Sequence, residues 1–273
     1  MSTSADLVTT LLARHMVQAA CEHGVRVLAV TSPTSLIAGL MAQRLGADRL
    51  ALAGGFGRLD VAPQPALTSG EFAMGMAASP RSMSAETFMA LARGRVGVVV
   101  SPAQIDARAA LNLSGIGGTT QRPQVALPGS RGLPDNNHSA STVWYFAPEL
   151  SVRRLVPEVD FVSGAPPPPG IPRVLVSPTA TLAFRAELGW RIAGLSEGVT
   201  VQDVRDSVGF ELACDGPPVY RGPSPEEAEV MSSVDPHGLR QLDFGPLPEE
   251  ALSTVLAEEA EALAVVTASA RRA

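Results

Sequence analysis

The chain has no lysine. All 21 basic residues among its 273 are arginine, which excludes a Schiff-base lysine and the lysine of a phosphate-binding P-loop. Cysteine is nearly absent as well: Cys21 and Cys214 stand alone, without CxxC spacing. Neither a cysteine-built zinc site nor a disulfide framework is expected, no metal site is indicated, and a reducing cytoplasm fits best. Aromatic residues make up only 4%, so the core must be mostly Ala, Val and Leu. No stretch approaches about 18 uninterrupted apolar residues, and the N-terminus has no basic start leading into an apolar run, so neither a membrane span nor an export signal is predicted. Basic residues cluster no further than the pairs Arg153–Arg154 and Arg271–Arg272, and the net charge is −6. Nucleic acid and anionic membranes are therefore poor partners, and small molecules and other proteins remain.

What is present is an ordinary globular balance, 45% hydrophobic and 18% charged, in a chain long enough for one large domain. Residues 4–22 carry Leu7, Val8, Leu11, Leu12 and Val17 on a helical stripe, with Gly24 as a stop. VRVLAVT at 25–31 is a near-continuous apolar run, the mark of a strand covered on both faces. A turn at Ser32–Thr34, a helix over 35–45 and a short strand at 50–53 follow. The theme returns with a helix over 84–94 (Phe88 and Leu91 inward), a buried strand at 96–101 and another at 125–129. Helices alternating with apolar strands predict an α/β fold with an open, mainly parallel sheet and flanking helices, in a single domain over 1–273. Further on, the four prolines at 166–169 read as a stiff exposed loop and 173–177 as a strand. Thr200 and Asp203 make a capping pair, and 213–226 reads as loop. A C-terminal helix over 248–270 has its apolar face through Leu252, Val255, Leu256, Leu263 and Val266.

Chemistry concentrates in Gln124–Trp144, QVALPGSRGLPDNNHSASTVW. Gly129, Arg131, Gly132, Asp135, Asn136, Asn137 and His138 fall within ten positions. Two glycines let backbone N–H groups approach a ligand, and one arginine can grip a carboxylate or phosphate with two parallel hydrogen bonds. The same letters also spell an ordinary strand-to-loop transition rich in turn formers. His138 is a candidate general acid or base, or a histidine bonded to backbone; His15 and His237 read as structural or exposed. Ser130 lacks the nucleophile-elbow pattern, and Gly115, Gly117 and Gly118 do not make a dinucleotide fingerprint. The turns at Ser32, Gly54 and Gly129 all follow predicted strand ends, where open parallel sheets bind ligands.

Ordered pieces over residues 25–212 carry a resemblance. SPTSLIA at 32–38, FMALARGR at 88–95, AQIDARAALNLS at 103–114, QRPQVALPGSRGLPDNNH at 121–138, VPEVDFVSG at 156–164 and GVTVQDVRDSVGFE at 198–211 together resemble the β subunit of family I CoA-transferases of the glutaconate type. Within that family they are most similar to the small subunits of the steroid-ring-opening CoA hydrolases. The resemblance implies action on an acyl-CoA thioester as substrate with no bound cofactor. It also implies an α-type partner subunit, in a heterodimer or heterotetramer, that completes the active site.

Transferases of the family use a β-subunit glutamate that attacks the thioester and precedes a glycine or two after the second short strand. The matching place here reads Leu52, Ala53, Gly54, Gly55, so the resemblance puts Ala53 at the nucleophile's position, and a methyl group cannot attack a carbonyl. Glu71 is a conceivable substitute, although TSGE at 68–71 also reads as a helix start. Asp106 matches an architectural position, and the GNxN pattern that usually follows it is reduced to Ala109, Ala110, Leu111 and Asn112. Where transferases have GSGG this chain has GSRG, as the ring-opening hydrolases do. Arg131 could there hold a substrate carboxylate, worth roughly 1.5–3 kcal/mol when charge-assisted, or pair with Asp135 to stiffen the loop. The resemblance places Ser32, Gly54, Gly55, Gly129, Arg131, Gly132, Asn136 and Asn137 around the thioester. The function expected is hydrolytic C–C cleavage or another non-transfer reaction of a carboxylated acyl-CoA. The alternatives are CoA transfer with a nucleophile from the partner, or a noncatalytic scaffolding subunit.

Overall fold

Apolar runs of five residues and well-capped short helices produce a mainly parallel central sheet with helices on its flanks. The computed structural model describes residues 3–53, 59–60, 89–130 and 132–270. Contacts divide the chain into two compact units, one of residues 1–22, 29–84 and 223–273 and the other of 23–28 and 85–222; strand β1 (Val27–Ala29) crosses the division.

In the first unit, α1 (Ser4–Glu22) and α2 (Pro33–Arg44) pack on each other, each buried over most of its circumference. Helix α2 starts two residues earlier than its stripe suggests because Ser32 caps it. The Ser32 hydroxyl accepts from Ser35 N–H, the Ser35 hydroxyl accepts from Ser32 N–H at 2.9 Å, and Pro33 occupies the first turn. Strands β2 (Ala51–Ala53) and β3 (Leu59–Asp60) pair antiparallel.

The C-terminal part of this unit is fastened to α1 and α2 by charge. Arg240 in a 3-10 turn (Leu239–Asp243) donates to Asp6 at 2.7 Å and to the fully buried Asp235 side chain at 2.6 Å. Thr34 N–H donates to Asp243 at 2.9 Å, and Arg14 forks onto Glu227 with two bonds of 2.7 Å. The last helix of the unit, Glu249–Ala270, was expected to turn an apolar face inward. Of its described face residues only Val255 is buried, whereas Leu252 and Leu256 are exposed; the side chains of Leu263 and Val266 lie outside the described residues.

In the second unit the sheet runs in the order β14, β13, β12, β11, β9, β4, with ranges Ala213–Cys214, Gly189–Ser196, Ala180–Arg185, Arg173–Val176, Thr142–Phe146 and Val96–Val100. Strands β4, β9 and β11 are parallel, and β12 runs antiparallel to both of its neighbours. VGVVV and TVWYF are buried throughout, as strands covered on both faces must be. Gly97 is required by packing, because a Cβ there would stand 2.5 Å from the Trp144 ring. A small sheet of β10 (Leu155–Val156), β5 (Gln104–Asp106) and β6 (Leu111–Asn112) and a ribbon of β7 (Gly115–Thr119) and β8 (Arg122–Ala126) complete the unit's strands, with β15 (Val219–Tyr220) beside β13.

The ribbon corrects one expectation. Residues 125–129 are not a buried parallel strand: β8 ends at Ala126, pairs antiparallel with β7, and leaves Val125 half exposed. Residues 213–226 are not all loop either, since β14 and β15 edge the sheet and Pro225 opens a helix to Val234. The capping box at Thr200 and Asp203 forms as the sequence indicates, starting a helix at Val201–Asp206. Of the helix expected over 84–94, residues 84–88, with Phe88, lie outside the described residues; 89–92 are helical and Leu91 is buried.

His15 sits in α1 where burial, with Arg14 beside it, pushes its pKa down to about 4 from 6.5. Above pH 6.5 the ring is neutral folded or unfolded. Between 6.5 and 4 only the unfolded chain takes up the proton, so this site subtracts stability as pH falls, up to about 3 kcal/mol once below 4. Urea unfolding of the wild type and of His15→Gln at pH 7.0 and 4.5 checks this: the wild type should lose about 2 kcal/mol more than the variant over that interval.

Candidate functional site

The glycine- and amide-rich segment folds as a tight turn followed by a short helix. Gly129, φ +95°, takes a conformation that favours glycine, and its N–H is committed to Leu113 C=O at 2.8 Å. Residues 133–139, which read as loop, form helix α3 (Leu133–Ser139) with Gly132 as N-cap and Pro134 in the first turn. Arg131 lies outside the described residues, as do Gly54, Gly55 and Glu71.

Within α3 the candidate residues separate. Asn137 is fully buried and Asn136 is partly so, while Gly132, Asp135 and His138 are exposed. Gly132 and Asn136 are four apart and share a face; a Cβ on Gly132 would lie 3.6 Å from Asn136 Nδ2, in ordinary contact. No hydrogen bond or ion pair is found for the His138 ring among the described residues.

Asn137 instead joins a buried network. Its Oδ1 accepts from Tyr145 O–H at 2.6 Å, and its Nδ2 donates to Ala165 C=O at 2.6 Å and, more weakly, to Ala109 C=O at 3.4 Å. Its own carbonyl, in the last turn of α3, accepts from Arg173 Nη2 at 2.5 Å. Arg173 is fully buried, its Nη1 donates to Pro172 C=O at 3.1 Å, its Nε has no partner, and no carboxylate pairs with it among the described residues. Burial drives the Tyr145 phenol pKa upward, opposed by Arg173, and lowers that of the guanidinium, opposed by Tyr145.

A second network shapes the approach to the turn. Asn112 Oδ1 accepts from Ser114 N–H at 2.9 Å and Gly115 N–H at 3.3 Å, and its Nδ2 donates to Gln104 Oε1 and Gly115 C=O, both at 2.7 Å. Asp106, fully buried, accepts from Arg108 and Ala110 N–H at 2.8 and 2.9 Å.

In the other unit, Ala53 closes β2, is buried, and accepts from Val30 N–H at 3.0 Å through its carbonyl. Ser32 is engaged in capping α2. Among the described residues there is no group of three or more His, Cys, Asp or Glu that could hold a metal ion, and no helix is long and apolar enough to cross a membrane.

The sequence matches no family model and no curated protein. Solved structures are similar over nearly the whole chain. The AibA/AibB decarboxylase aligns with a TM-score of 0.74 at 25% identity, over 89% of this chain and 99% of that one. IpdAB of Rhodococcus jostii RHA1 aligns with a TM-score of 0.73 at 24% identity, over 90% and 99%. Glutaconate coenzyme A-transferase of Acidaminococcus fermentans aligns with a TM-score of 0.72 at 16% identity, over 90% and 98%. The chain has the fold of a family I CoA-transferase subunit. In this CoA-transferase fold the place that the resemblance gives to the nucleophile holds a methyl group, since β2 ends on Ala53.

Sequence reasoning missed Tyr145 and Arg173 as supports of the turn. The available signal was a charge at the head of the otherwise apolar run RVLV at 173–176.

Truncating Asn137 to Ala strands the Tyr145 hydroxyl and the Ala165 carbonyl in the interior, and should cost about 3–5 kcal/mol. Tyr145→Phe should cost about 1–3 kcal/mol. Because the two groups are bonded, the double variant should be less damaged than the sum by about 1 kcal/mol or more, read from urea unfolding of all four proteins.

Proposed function

We propose that this chain is the β-type subunit of a heteromeric cytoplasmic enzyme that acts on a carboxylated acyl-CoA thioester, and that its reaction is not CoA transfer. The observation that carries the reading is the union of a near-complete CoA-transferase fold with alanine at the end of β2. Transfer needs a carboxylate to attack the thioester carbonyl and take over the CoA as an enzyme-bound thioester while the acyl group leaves as its acid; Ala53 offers none. The AibA/AibB protein, a decarboxylase, is a precedent for non-transfer chemistry on this fold. Hydrolytic C–C cleavage is the reaction we favour, by the likeness of GSRG at 129–132 to the ring-opening hydrolases.

In this reading the turn at 129–132 is the part of the chain that meets substrate. Arg131 would hold the acyl carboxylate, and its rigid fork suits that task better than an ammonium. Gly132 supports the assignment. Its φ of −84° is open to any residue and no atom of the described residues crowds a side chain there, so among them neither backbone nor packing asks for glycine. Close approach of a ligand would. His138, exposed on α3, is the candidate proton carrier. Asn137 is the positioning residue beneath them.

The decisive experiment is turnover of carboxylated acyl-CoA esters by the chain copurified with its α-type partner, with products identified by mass spectrometry. Arg131→Ala should lower kcat/KM at least about tenfold, and an unaffected rate would remove the arginine from the site. Gly132→Ala should leave stability within about 1 kcal/mol yet depress turnover. A glutamyl-CoA adduct trapped with borohydride on either subunit would replace the non-transfer reading with transfer. Full activity of the partner alone would leave this chain a scaffold.

A further inference from the structure

We propose that the open cavity between the β12–β13 turn, the helix at Val201–Asp206 and the segment entering β14 binds a flat apolar molecule carrying one carboxylate. The cavity measures about 700 Å³, within the range of small-molecule sites, and the proposal stands apart from the acyl-CoA reading.

Its floor is aromatic: Phe210 is half-buried at the cavity and Trp190, 3% exposed, is buried beside it. Trp190 stacks on Phe210, with ring centroids 6.1 Å apart and planes 27° from parallel, and is braced from another side by Phe184 at 5.2 Å. The indole N–H is already committed to Asp106 C=O at 2.9 Å. Trp190 thus has no polar atom left to offer a ligand, and its ring is locked in orientation. Leu212 is buried in the same wall, and Leu188, at the β12–β13 turn, lines the cavity while remaining 66% exposed. A rigid, flat, carbon-lined surface is best matched by a flat apolar body.

Charge supplies the second half of the recognition. Arg205 lines the cavity, and the one hydrogen bond its guanidinium makes among the described residues is a long one, 3.4 Å to Leu212 C=O; it makes no ion pair among them. The guanidinium therefore keeps most of its donors for a bidentate partner, which a carboxylate satisfies. Glu211 lines the cavity too and would repel a second negative charge, so the geometry favours a monocarboxylate over a dicarboxylate or a phosphate monoester.

The chain has two tryptophans, so its indole N–H region holds two resonances, assigned by Trp190→Phe. Titrating naphthalene-2-carboxylate into the full chain should move the Trp190 signal to saturation and leave that of Trp144, which does not line the cavity, in place. The primary amide of the same acid should bind about tenfold more weakly or worse. Arg205→Gln, a change on an exposed residue, should erase the difference by weakening the acid alone. Equal binding of acid and amide, equal movement of both indoles, or no movement of Trp190 would overturn the proposal. So would a Trp190 shift produced by an added partner chain and not by the acid.

Discussion

The side-chain amide of Asn137 is the constraint on which the placement of helix α3 in the larger unit depends. It ties helix α3 to Tyr145 in β9, to Ala165 ahead of β11 and, more weakly, to the turn at Ala109, while its backbone carbonyl receives Arg173 from β11. An amide suits this place because it offers donors and an acceptor on one rigid group without carrying charge into the interior. Arg173 brings that charge instead, and with no acid beside it among the described residues its desolvation is offset by carbonyl dipoles and the Tyr145 hydroxyl. Such an arrangement is a poor way to gain stability. It is a good way to hold the last turn of a short helix in one position, since the guanidinium satisfies a carbonyl that a helix end leaves open.

The turn before α3 is therefore anchored at both ends. Gly129 is pinned to Leu113, which sits on the Asn112–Ser114 network, and α3 is pinned through Asn137. Between these anchors Gly132 is exposed. That division explains why neighbouring asparagines do different things: Asn136 shares the open face with Gly132, whereas Asn137 faces the sheet. Preorganised sites need supports of this kind, since each misplaced donor forfeits stabilisation that an added contact cannot restore.

Much of this was legible in the letters. VGVVV reads as a doubly covered strand and is; Thr200 with Asp203 reads as a capping box and is. The failures have physical causes. VALPG at 125–129 looks like a buried strand because apolar content alone does not separate a core strand from a two-stranded ribbon left open on one side. LPDNNHS at 133–139 hides a helix behind turn formers, because Pro134 and Asp135 favour a helix's first turn as readily as a turn. The partners of Asn137 lie 28 and 36 residues away for Ala165 and Arg173, a separation at which no local pattern operates. The fold itself was read from the order and spacing of short pieces, a signal that whole-family models did not register at this divergence.

The turn after β5 holds an unfavourable backbone without glycine. Ala109 adopts φ +59° and is the sole non-glycine with positive φ among the described residues. Alanine in that conformation costs about 1–2 kcal/mol. The cost is tolerated because Asp106 holds two backbone N–H groups of the turn and Asn112 closes the next one, so the shape is determined twice over. A backbone that holds this conformation without glycine has its geometry enforced by the residues around it. On the reading proposed above, Ala53 is a different case, since no neighbouring hydrogen bond can replace a nucleophile. On that reading the chain has a turn that can position a thioester without a carboxylate that can take over its CoA, and this asymmetry favours a changed reaction over a decayed enzyme.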